Sequence, residues 1–158
     1  MTQINTGREL LEAALQDLNA GAEALASRLP AIAGHLTDDS LRAAFDDLVD
    51  RARQDVDRLR DTGMAAGGPE NLWMAGVLDD AERDTQATAP GGLLDTALIG
   101  AIRKGLASTI VSHDTALALA RTTGEQQAEA AVGDCRDAAV RIDHDLAGHL
   151  ARIAGDLG

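Results

Sequence analysis

His35, His113, His144 and His149 are the only imidazoles in this chain, and Cys135 is its only thiol. Metal binding, proton transfer or nucleophilic catalysis has to be assembled from these groups and from the 26 acids. A lone cysteine excludes an intramolecular disulfide and any cysteine-based metal cluster. Ser108, Ser112 and His113 are close in sequence, but adjacent helical positions diverge and no third group orients the pair. Gly67-Gly68 and Gly91-Gly92 follow no strand, so neither forms a phosphate-cradling loop. One Trp, one Phe and no Tyr leave no aromatic platform for bases or heterocycles.

The other chemistry-bearing side chains read mainly as structure. His113 falls in an apolar helical stripe, where a histidine is a hydrogen-bonded core residue, with a ligand or switch role as the alternative. His144 and His149 are five apart and do not converge, whereas Asp145 and His149 have the spacing of a surface pair. Asp46, Asp47 and Asp50 form an acid cluster that reads as a solvated face, with weak divalent-cation binding as the alternative. Cys135 also lies in a stripe, as a buried thiol rather than an exposed redox sensor. Trp73 and Met74 either cap one end of a helical bundle or anchor a dimer contact.

The elements that must position these groups are helices. With 31 Ala and 16 Gly the side chains are small, and strands would need more β-branched and aromatic residues. Thr6-x-x-Glu9 is a capping box, followed by Leu11, Leu15, Leu18, Ala22, Leu25, Leu29, Ile32 and Leu36 at helical steps. Pro30 predicts a kink near Leu29. Thr37 to Ser40 breaks the chain before a second stripe of Leu41, Phe45, Leu48, Ala52, Val56 and Leu59. Pro69 suits the first turn of a short helix carrying Leu72, Trp73, Gly76 and Val77 on its apolar side. Leu94 to Ala120 and Ala128 to Leu157 supply two further stripes, separated by Thr122-Thr123-Gly124. The expected domain is therefore 1–158, with long helices at 6–36, 39–61, 92–121 and 124–157 and a short one at 69–82. Two short-loop hairpins joined by one long crossover make an all-α, ferritin-like four-helix bundle. Glycines at 21, 100, 105, 133, 148 and 155 allow close helix approach where they face inward.

Charge narrows the partners. Fourteen Lys+Arg against 26 Asp+Glu give a net charge of −12, which repels nucleic acid and anionic membranes unless a basic patch stands out. Arg51, Arg53, Arg58 and Arg60 alternate with Asp50, Asp55, Asp57 and Asp61, the pattern of a solvated face with local ion pairs. No basic start followed by an apolar run marks Met1 to Leu10 as a leader, and Ala97 to Ile102 falls far short of the ~20 residues of a membrane span. The expected location is the cytoplasm.

A two-metal site in such a bundle uses Glu-x-x-His pairs on two of its helices. The residues three before the four histidines are Ile32, Ile110, Arg141 and Leu146, so that motif is absent. The order of Leu15-Gln16-Asp17-Leu18, Leu29-Pro30, Leu41-Arg42-Ala43-Ala44-Phe45, Arg58-Leu59, Trp73 to Leu78, Leu94 to Ala101, Thr115 to Ala120 and Gly124 resembles the YciE/YciF-type ferritin-like family of bacterial stress-associated proteins. The resemblance spans residues 8 to 155 and implies a four-helix bundle with a short extra helix, often dimeric, with no settled activity. The family's carboxylate and histidine positions fall on Ala22, on Leu48 and Arg51 beside Asp50, on Leu106 to Thr109, and on Ala138 and Ala139.

These positions predict no catalytic, cofactor-binding or metal-ligating residue and no cofactor. The expected function is a non-enzymatic, stress-related bundle acting through protein contacts, as a homodimer or with another protein partner, without nucleic acid or membrane. Two alternatives stay open. One is a metal-binding or redox bundle with Asp50, His113 and Asp143 as non-standard ligands; the other is an acidic partner-binding or inhibitor module.

Overall fold

The computed structural model describes residues 3–158, so the first two residues of the expected domain and of the Met1–Leu10 stretch lie outside the described residues. It contains five helices and, among the described residues, no strand: α1 Gly7–Ala33, α2 Asp39–Arg60, α3 Leu72–Ala87, α4 Gly92–Thr123 and α5 Gln126–Gly155. α1 packs on α2 and α4, and α5 on α4 and α2, which closes the four long helices into a ring; α3 lies across α1 and α4. None of the helices is long and apolar enough to cross a membrane.

Local chemistry sets the ends. Thr6 and Glu9 form the reciprocal cap of α1, with Thr6 Oγ1 accepting from Glu9 N at 3.2 Å and Glu9 Oε2 accepting from Thr6 N at 2.9 Å. α1 continues through Pro30 and ends at Ala33, three residues before the expected end, with Gly34 as its cap, while Leu36 stays buried in the link. α4 runs through Thr122 and Thr123 and ends at Gly124, whose φ of 72° is a left-handed value that suits glycine.

The short helix departs most from expectation. It starts at Leu72 rather than Pro69, because Asn71 rather than proline governs its first turn: Asn71 Oδ1 accepts from Met74 N at 2.8 Å. It also runs on through the charged stretch 79–84. Asp79 and Glu82 there bind Arg28 of α1 at 2.7 and 2.9 Å, so the acids tie the helix down instead of ending it. Its buried face is Met74, Leu78 and Ala81, not the expected Leu72 and Trp73, which point outward.

The core is aliphatic and has two parts. One holds Leu11, Leu15, Leu18, Leu59, Ala116, Ala120, Val132 and Cys135; the other, larger part surrounds Phe45, Leu78, Leu98 and Ile102. Each fully buried leucine contributes about 1.5–3 kcal/mol. Only two of the six helical glycines named above serve close approach between helices. A Cβ on Gly21 would come within 3.2 Å of Asn71 Nδ2, and one on Gly105 within 3.2 Å of Val77 Cγ1; the other four face open space.

Asn71 is held at both ends of its side chain, capping α3 and donating from Nδ2 to Asp17 O at 3.1 Å, so it cannot yield to a new methyl group. Gly21→Ala is therefore expected to destabilise the fold by about 1 kcal/mol, overpacking outweighing the helix-propensity gain. Gly133→Ala, with nothing to strike, should stabilise it by up to about 1 kcal/mol. Urea unfolding of the two variants checks this, and equal shifts of the same sign would refute it.

Candidate functional site at the bundle centre

Four helices bring the same heptad positions to one point between the two parts of the core. Ala22 of α1, Leu48, Arg51 and Asp55 of α2, Leu106, Thr109 and His113 of α4, and Ala139 and Ile142 of α5 line a cavity of about 40 Å³. By volume that is room for about two or three waters. The spacing 48, 51, 55 repeats as 106, 109, 113, each set being three- and four-residue steps along one face. Of the positions onto which the family's carboxylates and histidines fall, 22, 48, 51, 106, 109 and 139 line this cavity, whereas 107, 108 and 138 do not.

Its polar content is one ion pair, one histidine and the Thr109 hydroxyl. Arg51 Nε lies 2.7 Å from Asp55 Oδ1, with the side chains only 19% and 18% exposed. The expectation of a solvated face is thus corrected for these two, although Arg53 and Asp50 on the same helix are exposed and pair at 3.2 Å. Alternation of charge by sequence hides a helical twist that turns positions 51 and 55 inward. Arg51 also donates from Nη2 to Asp134 O at 3.1 Å, bridging α2 to α5. Burial raises the Asp55 carboxyl above its ordinary value, opposed by the attraction of Arg51 and by a hydrogen bond from the Cys135 thiol. Cys135 is fully buried, and burial with the nearby Asp55 charge pushes it up to about 12, so it stays a protonated thiol.

His113 is 3% exposed, and its Nδ1 has no hydrogen-bond partner, which corrects the expected bonded core histidine. Burial, reinforced by Arg136 and Arg51, lowers it to about 4, so the ring is neutral at pH 7. Thr109 Oγ1 donates to Gly105 O at 2.9 Å.

The other sequence candidates do not join this site. Asp143 is held by Arg103 through contacts of 2.8 and 3.2 Å, and Asp50 is exposed, so the alternative ligand set Asp50, His113 and Asp143 is not assembled. His149 pairs with Asp145 at 3.6 Å on the surface, and His35 and His144 are exposed. Asp46 and Asp47 lie on the solvated face. Among the described residues no three His, Cys, Asp or Glu side chains come together as a metal site. The residues present do not fit a two-metal centre: alanine, leucine and threonine offer no anionic ligands, and the Arg51 guanidinium already supplies the positive charge that Asp55 balances.

Asp55 had no sequence signal beyond its spacing from Arg51. Leu72 and Trp73, 75% and 78% exposed, form the most exposed apolar pair on the surface, near Val111 of α4, with which Trp73 lines one cleft.

The family described as a domain of unknown function, DUF892, matches residues 6–156, and the chain belongs to it. The chain is similar in structure to the E. coli stress protein YciF, with a TM-score of 0.91 and 18% identity over 96% of this chain and 99% of that one. It is also similar to YcfI from Rhodopseudomonas palustris, with a TM-score of 0.85 and 18% identity over 91% and 94% of the two chains. These likenesses establish the fold, a ferritin-like helical bundle, as the spacing implied. No curated protein sequence matches the chain.

The His113 ring makes stability depend on pH. Its folded value of about 4 lies below its ordinary 6.5, so the unfolded chain binds the extra proton between those values. Stability is greatest above pH 6.5 and falls by up to about 3 kcal/mol as pH drops toward 4. Asp55, shifted the other way, offsets part of this at the acid end. Urea unfolding at pH 7 and pH 4.5 should show a smaller loss for His113→Leu than for the natural chain; equal losses would exclude His113 as the source.

Proposed function

We propose that this chain is a non-catalytic bundle that works in the cytoplasm through protein contacts, as a homodimer, in a stress-related role. The observation that carries the reading is the exposure of Leu72 and Trp73 on α3, the helix added to the four-helix frame. Burying two such side chains in a contact contributes about 1.5–3 kcal/mol each, and tryptophan is enriched among the residues that dominate protein interfaces. The Arg51–Asp55 pair in the bundle centre supports a non-enzymatic role, because it leaves no anionic ligand set for redox chemistry there. The stress-related part rests on the likeness to YciF, described as a stress protein.

Self-association of a chain carrying −12 is opposed by like charge, so the dimer should strengthen as salt rises. An acidic module that binds a basic partner would weaken instead. Sedimentation equilibrium is expected to show a dimer favoured by salt and lost in Leu72→Glu, with helicity unchanged. A monomer at every concentration and salt level would refute the homodimer.

Protein made in iron-supplemented medium, and purified without a histidine tag or chelator, is expected to carry far less than one metal per chain. Mass spectrometry showing near-stoichiometric iron, manganese or zinc would overturn the non-catalytic reading.

A further inference from the structure

A second cavity lies on the outside of the bundle, where the first turn of α3 bridges α1 and α4. It is a cleft of about 310 Å³ lined by Asp17, Leu18 and Gly21 of α1, Asn71 and Trp73, and Ser108, Thr109, Val111 and Ser112 of α4. That volume lies at the lower bound of small-molecule sites. Leu18, Gly21 and Thr109 also line the central cavity and form the wall between the two.

The polar groups of the cleft are mostly acceptors. Asp17 is half-buried, and burial alone raises its carboxyl, with no cation offsetting the cost of holding charge there. Ser108 Oγ and Thr109 Oγ1 both donate their protons to Gly105 O, each at 2.9 Å. Their oxygens are left able only to accept from a ligand. The Asn71 amide is already committed at both ends, to Met74 N and Asp17 O. A ligand for such a wall has to bring donors and positive charge. Trp73 adds indole surface to the same cleft, against which an alkyl chain can pack. Leu18 and Val111 supply apolar surface for a short alkyl chain. The net charge of −12 concentrates small cations around the molecule.

The geometry points to a binding site for a small primary alkylammonium ion in this cleft, with its ammonium group on Asp17 and the hydroxyl oxygens and its chain against Trp73. Every lining residue comes from one copy, but Trp73 is shared with the proposed dimer contact, so ligand and second copy compete for it.

The test is titration of the full chain with n-butylammonium chloride, followed by calorimetry and by the emission of Trp73, the only tryptophan. Saturable binding at one site is expected, weakened about tenfold or more in Asp17→Asn and about threefold in Ser112→Ala. Sodium butyrate, of similar length and opposite charge, should not bind. Leu72→Glu, built to disrupt the dimer, should bind at least as tightly as the natural chain; a loss of binding there would overturn the single-copy site. Absence of saturable binding in Leu72→Glu, equal affinity in Asp17→Asn, or equal binding of butyrate would each overturn the proposal.

Discussion

Asp95 carries a carboxylate into the interior at the first turn of α4, and the arrangement of the long helices follows from how that group is satisfied. It is buried among Leu94, Leu98 and Ile99 and accepts from Thr37 N at 3.0 Å, Thr37 Oγ1 at 2.8 Å and Asp38 N at 3.0 Å. All three donors belong to the link between α1 and α2. Asp38 in turn caps α2 by accepting from Leu41 N at 2.9 Å, and Arg152 of α5 grips it at 2.7 and 2.9 Å. That guanidinium holds the Asp38 carboxyl well below the usual range. One end of every long helix is thereby joined in a single network. An unsatisfied buried carboxylate costs several kcal/mol, so slippage of α4 against the α1–α2 link is opposed more strongly than apolar packing alone would oppose it.

With that end fixed, the positions that reach the bundle centre are no longer free. Helices of 22 to 32 residues starting from a common clamp deliver Leu48, Arg51, Leu106, Thr109 and Ala139 to the same level. Arg51 enters this level with Asp55 as its counterion rather than as a free charge. A guanidinium keeps its proton under all ordinary conditions, so the pair is a permanent feature of the interior. Breaking one partner would strand the other, which makes the centre tolerant of joint change and intolerant of single change. His113 meets the same environment as a neutral ring, because its charged form would stand near two arginines with too little water to screen it.

Much of this architecture is legible in the sequence, because a 3.6-residue period of leucine and alanine survives any tertiary arrangement. The stripes from Leu11 to Leu29 and from Leu94 to Ala120 lie where periodicity puts them, and Thr6 with Glu9 marks a helix start by its own chemistry. What is not legible is polarity used inside. Asp95 sits beside Leu94 in a stripe that periodicity treats as apolar, and its donors are 57 and 58 residues away in sequence. Arg51 and Asp55 look solvated because acids and bases alternate along the helix, and only the facing surfaces of α4 and α5 show that they point inward. The start of α3 is misplaced by the sequence for a different reason: Pro69 suits a first turn, but the cap is Asn71, which is fixed by its contact with Asp17 O on α1.

That long reach of Asn71 also explains why the surface cleft exists at all. Gly21 lets the cap of α3 settle directly on α1, and Gly105 does the same for Met74 and Val77 on α4, so α3 is seated deeply at two points. Trp73 projects outward from the first turn of α3, so it lines the gap between α1 and α4 without filling it. The same geometry that buries Met74, Leu78 and Ala81 therefore leaves Asp17, Ser108 and Ser112 lining an open space. A bulkier residue at position 21 would push the cap off α1 and flatten the cleft. Gly21 and Gly105 thus act at two scales, seating α3 on the ring and deciding where its outer surface stays concave.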